Sequence, residues 1–228
     1  PNSYQVNMSK RPVSKKTFSK DELGLPETGF VFCCFNNVYK VLPETFSSWM
    51  RILKEVDNSV LWLFESNTES IVRLKNEAKR NGVNESRLIF AKHLPIEEHL
   101  SRINQADLFL DTYPYNAHTT CSDSLRMGLP VLTLIGKSFA SRVAASLLSS
   151  MNLAELIVTS QKEYESLAIE LARDFKRFKA IRTKLNTAID ASSLFDSELF
   201  TRQLEEAFIA MKKANQNNSK LKHIYLDN

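Results

Sequence analysis

The chain has 228 residues, 43% hydrophobic and 25% charged, with a formal net charge of +4. Those are the proportions of an ordinary globular protein, long enough for one large domain or one domain with an appendage. A chain of this size can bury roughly 70% of its unfolded surface. No run approaches the ~20 apolar residues of a membrane-spanning helix, and no charged-then-apolar leader opens the sequence, so no membrane partner is expected. The chain begins with Pro1, so it is expected to be a piece of a longer protein. The basic excess is local. Residues 1–20 hold Lys10, Arg11, Lys15, Lys16 and Lys20 and no acid, which leaves 25 basic against 26 acidic residues elsewhere. A nearly neutral body argues against nucleic acid as a partner. The three cysteines, Cys33, Cys34 and Cys121, have no zinc-site spacing and read as reduced thiols of a cytoplasmic protein.

In chain order, residues 1–22 are polar and without period, and read as a linker or a strap. Phe30-Val31-Phe32-Cys33-Cys34-Phe35 is a continuous apolar run, as in a strand buried on both faces. Pro43-Glu44 opens a helix in which Phe46, Trp49, Met50 and Leu53 recur at three- and four-residue spacing. Residues 59–64 are the next strand, followed by a helix over about 69–81 that Asn81-Gly82 ends. Residues 87–90 predict a third strand, Pro95 the start of a helix, and residues 107–111 a fourth strand. A loop over 112–118 leads into a helix that runs up to Gly128. Residues 130–134 predict a fifth strand, residues 138–151 a helix and residues 155–158 a sixth strand. Residues 161–213 read as helical with a break near Ser192-Ser193. This alternation predicts an α/β fold with a doubly wound parallel sheet. Ligands of such sheets bind beyond the carboxyl ends of the strands. The search for a site therefore falls on the segments 36–40, 91–102, 112–123 and 136–142.

The glycine-rich dinucleotide fingerprint is absent: the turn after the first strand reads Asn36-Asn37-Val38-Tyr39-Lys40, and the whole chain has five glycines. A G-x-x-x-x-G-K-[ST] phosphate loop is absent too. A helix N-terminus can still hold phosphate through free N–H groups and its dipole. His118-Thr119-Thr120 stands where such a helix begins, and Asp123 one turn later can accept a hydrogen bond from a sugar hydroxyl. The alternative is that a threonine merely caps the helix. Lys40 either places a point charge on a diphosphate or is a solvated surface lysine. His99 and Arg102 are three residues apart on one helix face. They either flank a planar ligand or belong, with Glu97 and Glu98, to an ion-paired surface. Arg142 either reaches phosphate or pairs with a helix carboxylate.

These segments together resemble the C-terminal half of the catalytic region of the O-linked N-acetylglucosamine transferase family. The matching pieces are Gly24-Leu25-Pro26-Glu27, Phe32 to Asn36, Tyr39-Lys40, Ser59 to Leu63, Glu97-Glu98-His99, Ala106-Asp107, Leu110-Asp111-Thr112, His118-Thr119-Thr120, Asp123 and Ala140 to Ser146. They fall in order, at compatible spacing, from the start of the chain to about residue 210. The resemblance implies the Rossmann-like C-terminal lobe of a GT-B glycosyltransferase. Residues 1–22 would be a linker or interlobe strap, 23–190 the nucleotide-sugar-binding lobe, 191–213 a helix packed on the catalytic region and 214–228 a frayed tail. It implies UDP-N-acetylglucosamine as donor, protein Ser or Thr as acceptor, and an N-terminal lobe with helical repeats as partners. The His-Thr-Thr and Ala-Ser-Arg patterns favour UDP over GDP. Lys40 would neutralise the diphosphate leaving group, with Thr119, Thr120 and His118 at its phosphates. His99 would flank the uracil, Arg102 and the backbone near Leu94 would contact it, and Asp123 would bind ribose. Asn37 stands where the animal enzymes carry glutamine, and would reach phosphate less far. Ile96 stands where they carry a ribose-binding lysine, a contact expected to be missing here. No D-x-D motif lies at a strand end, and no metal or other cofactor is expected. The alternatives are another UDP-hexose, such as UDP-glucose, or a non-catalytic domain that keeps the fold.

Overall fold

The computed structural model describes residues 3–217 and 223–224. Six strands form one sheet: β1 (Phe30–Cys34), β2 (Ser59–Phe64), β3 (Leu88–Ala91), β4 (Leu108–Leu110), β5 (Val131–Leu134) and β6 (Ile157–Val158). Every pairing is parallel and the order is β3-β2-β1-β4-β5-β6. Cys33 of β1 stands beside Trp62 of β2 on one side and Phe109 of β4 on the other. The helices cover both faces, so the central strands are buried at nearly every residue and their sequences run mostly apolar without alternation. Cys33 and Cys34 are free thiols inside that layer, and burial pushes both pKa values up.

Eight helices accompany the sheet among the described residues: α1 (Pro43–Glu55), α2 (Thr68–Arg80), α3 (Ile96–Ile103), α4 (Thr119–Arg126), α5 (Val143–Ser150), α6 (Gln161–Arg173), α7 (Phe175–Ala191) and α8 (Ser197–Gln216). Pro43 sits in the first turn of α1, where its missing N–H costs nothing. The Asn67 side chain accepts from Ser70 N to cap α2, and Ser160 with Glu163 forms a capping box at α6. Trp49 of α1 is fully buried and donates from Nε1 to the Tyr164 hydroxyl at 3.2 Å. That hydroxyl donates in turn to the Asp111 carbonyl at 2.9 Å. Helices on one face are thus tied to the carboxyl end of β4.

Three sequence expectations need correction. The single helix over 138–151 is a 3-10 turn, Phe139–Ser141, followed by α5. The chain there closes on Gly136, whose N–H donates to the Ser141 carbonyl, and Arg142 takes a non-helical conformation between the two pieces. The first two residues expected in the sixth strand are not part of it: Glu155 and Leu156 belong to a 3-10 turn, Ala154–Leu156, that buries Leu156, and only Ile157–Val158 pairs with β5. The long helical stretch after 161 breaks a first time at Asp174, whose side chain accepts from Arg177 N and restarts the helix.

The polar arm at the start does not run through solvent. Asn7 is buried and donates to the Leu194 carbonyl at 3.2 Å. Ser9 meets Ser197 at the start of α8, and its carbonyl accepts from Arg126 of α4. Ser14 N donates to the Glu97 carbonyl at 3.0 Å, Lys16 pairs with Glu98, and Phe18 is buried. Residues 3–18 are a strap laid over α4 and α3. Of the tail expected at 214–228, residues 218–222 and 225–228 lie outside the described residues.

Candidate functional site

The strand order reverses between β1 and β4, and a doubly wound sheet opens a crevice there, outside the strand ends. Two loops meet in it. After β1 comes Asn36, then a 3-10 turn over Val38–Lys40. After β4 come Asp111 and the loop that enters α4 at Thr119. Asn36 joins them: its Nδ2 donates to Thr112 Oγ1 at 2.8 Å, and its Oδ1 accepts from Thr120 Oγ1 at 2.5 Å. Asn36, rather than its neighbour Asn37, therefore faces the α4 side, while Asn37 is exposed.

Asp111 is 2% exposed and organises the β4 loop. Its Oδ1 accepts from Thr112 N at 2.8 Å and Ala117 N at 2.6 Å, and its Oδ2 accepts from Thr133 Oγ1 at 2.7 Å. Burial pushes its pKa up to about 7, against these donors and the Lys40 charge, which favour the anion. The loop it holds places Asn116 so that its carbonyl accepts from Lys40 Nζ at 3.0 Å. The ammonium also lies 3.8 Å from the centre of the Tyr115 ring. Burial lowers the Lys40 pKa, and Asp111 opposes that shift. Among the described residues Nζ has one hydrogen-bond acceptor, which leaves the ammonium with donor capacity for a further ligand.

Lys40 is half-buried and stands beside the start of α4. Thr119 and Thr120 are the first residues of that helix, whose leading N–H groups have no intrahelical acceptor. His118 precedes them. Its Nδ1 meets Tyr4 Oη at 3.2 Å, and its Nε2 is buried with no partner among the described residues. Burial and the Lys40 charge lower its pKa. A lysine, an imidazole and a helix N-terminus lie near one another here, and such groups favour an anion.

The second half of the crevice lies against α3. His99 packs edge-on against Phe35, with ring centres 5.0 Å apart. Arg102 is 2% exposed and does not share the open face with His99. It lies behind it, donating from Nε to His99 Nδ1 at 3.1 Å and from Nη1 to the Lys92 carbonyl at 2.7 Å. The first bond leaves the imidazole proton on Nε2. The second terminal nitrogen of Arg102 is buried without a partner among the described residues. Leu94 is half-buried in the turn before α3, and Ile96 is 43% exposed. Asp123 is buried on α4 and pairs with Arg11 of the strap, a contact the sequence reading missed. Arg142 pairs with no carboxylate among the described residues and donates to the Gly136 carbonyl at 3.1 Å.

His99 gives the site a pH signature. Burial first, then the Arg102 charge, pushes its pKa down to about 4. The unfolded chain takes up this proton near pH 6.5 and the folded one does not, so stability is full above that pH and falls as pH drops toward 4. Urea denaturation at pH 7 and pH 5 is expected to show a smaller acid loss in His99→Gln than in the unmodified chain. Equal losses would separate the imidazole from that dependence.

The sequence profile of glycosyl transferase family 41 matches residues 6–204. The UDP-N-acetylglucosamine–peptide N-acetylglucosaminyltransferase of Caenorhabditis elegans is 34% identical over 213 residues, which are 93% of this chain and 18% of that protein. A probable UDP-N-acetylglucosamine–peptide N-acetylglucosaminyltransferase of Arabidopsis thaliana is 36% identical over 219 residues, 92% of this chain and 22% of that protein. The chain therefore spans about a fifth of the length of these relatives. A mutant of the Thermobaculum terrenum O-GlcNAc transferase superposes with a TM-score of 0.79 at 30% identity, over 96% of this chain and 41% of that one. With most of its length matched by that profile, and its six-stranded parallel lobe by that structure, the chain belongs to glycosyl transferase family 41 and forms a Rossmann-like lobe of the GT-B type.

Proposed function

We propose that this lobe binds UDP-N-acetylglucosamine and, with a second lobe, supports transfer of the sugar to Ser or Thr of a protein in the cytoplasm. The observation that carries the reading is the meeting of Lys40 and the N-terminus of α4 at the sheet's switch point. In the transfer, the bond between the sugar C1 and the β-phosphate oxygen breaks while the acceptor hydroxyl oxygen bonds to C1 and gives up its proton to solvent. Negative charge gathers on the departing diphosphate, and preset donors lower that barrier because they bind the developed charge most strongly. Lys40 Nζ and the Thr119 and Thr120 N–H groups are those donors, with His118 beside them. The reading needs no metal. The uracil lies against His99 near Leu94, with Arg102 behind fixing the imidazole. Ribose hydroxyls meet Asp123. Asn37, exposed at the start of the 3-10 turn, would have to turn toward the phosphates to reach them, whereas Asn36 is already bonded on the α4 side.

The names of the two sequence relatives and the matched solved structure support this donor. Titration calorimetry of the full-length enzyme with UDP tests it. Saturable binding is expected, with hydrogen-exchange protection over 36–40, 94–99 and 118–123. No binding by a folded, complete enzyme would contradict the reading. Released sugar in a donor-hydrolysis assay separates N-acetylglucosamine from glucose.

A further inference from the structure

The strap crosses the nucleoside half of the crevice, and one of its side chains reaches inside. Arg11 Nη1 donates to Asp123 Oδ1 and forms an ion pair in which the Arg11 side chain is 25% exposed and the Asp123 side chain 7%. Arg11 is also close enough to His99 for its charge to help lower that imidazole's pKa. It therefore pairs with the residue assigned above to ribose and lies near the one assigned to the base. The strap around it is fixed at both sides. Asn7 and Ser9 hold it to α4 and α8, and Ser14 and Lys16 hold it to α3. A segment anchored before and after a single arginine has little freedom to withdraw it.

The carboxylate is only half used. Asp123 Oδ1 takes the guanidinium, while Oδ2 accepts nothing from the described residues. A buried carboxylate is costly unless it is paired, and burial raises the Asp123 pKa while Arg11 opposes the rise. An arginine on one oxygen keeps the group ionised and fixes its rotamer, leaving the other oxygen as a strong acceptor for a vicinal diol. We propose that Arg11 is a positioning residue for the donor nucleoside: it holds Asp123 ionised and oriented toward the ribose, which makes the strap a wall of the donor site. The proposal rests on the UDP reading above.

The test compares UDP with inorganic pyrophosphate as ligands of the full-length enzyme, because pyrophosphate shares the Lys40 and α4 contacts and has no ribose. Arg11→Ala is expected to weaken UDP binding about tenfold, the order of one lost charge-assisted contact. Pyrophosphate affinity should stay within about twofold, and Arg11→Lys, which keeps the charge without the fork, should lose less UDP affinity than Arg11→Ala. In an Asp123→Asn background, Arg11→Ala should add little further loss, since it acts through that carboxylate. An unchanged UDP affinity, an equal loss for both ligands, or full additivity with Asp123→Asn would each overturn the role of Arg11 while leaving the nucleotide site standing. If the unmodified enzyme binds pyrophosphate but not UDP, the nucleoside reading and the role of Arg11 fall together.

Discussion

Replacing Lys40 by alanine is expected to lower the turnover number of the full-length enzyme by about 10²–10³, the usual cost of one preset donor at a developing oxyanion. The effect on UDP affinity should be much smaller. In the resting site the ammonium already has the Asn116 carbonyl and the Tyr115 ring, so part of its interaction with ground-state phosphate replaces contacts it has. Its interaction with the extra charge of the departing diphosphate replaces nothing. A loss confined to KM would mean that Lys40 binds donor and transition state equally. A turnover number within a factor of about three of the unmodified enzyme would remove it from the mechanism altogether.

The largest stability loss in the site is expected at Asp111. Asp111→Ala would leave Thr112 N, Ala117 N and Thr133 Oγ1 inside the protein without their acceptor. Each buried donor left without its acceptor costs about 1–3 kcal/mol, so the loss over the three groups is expected to reach several kcal/mol. Asp111→Asn should cost far less. Its amide oxygen can go on accepting from the two N–H groups, and the Thr133 hydroxyl can turn to accept from the new amide. Chemical denaturation of the two variants checks the difference. Similar destabilisation by both would show that the negative charge, not the acceptor geometry, holds the loop. The same network carries Asn116 to Lys40, so Asp111→Ala should also lower turnover where it folds.

The sheet was legible because a strand buried on both faces runs mostly apolar without alternation: β1 is apolar throughout, and β2 and β5 are interrupted only by the buried Ser59 and Thr133. The loops that follow β1 and β4 were legible for the same reason: once the strands are placed, the switch-point rule points to the segments that hold Lys40 and Thr119. Side-chain partners were not legible. Asn36 looks like any polar residue ending a strand, yet it bridges the two loops across 84 positions to Thr120. Asp111 sits inside an apolar stretch as an acid, and that mismatch is the one local signal that it serves a buried network. Arg11 gives no local sign at all. It lies in a basic arm whose composition suits solvent, and only the tertiary path of the strap brings it 112 positions along the chain to Asp123. The partners of Arg102 were hidden by a related cause. Helical spacing puts it on the His99 face, but the fold turns that face partly inward, so the guanidinium supports the imidazole from behind.

A structure of the complete enzyme with UDP bound tests the central claim most directly. The diphosphate is expected within hydrogen-bond distance of Lys40 Nζ and of the Thr119 and Thr120 N–H groups, with the uracil on the His99 side. A diphosphate seated anywhere else on this lobe would contradict the account.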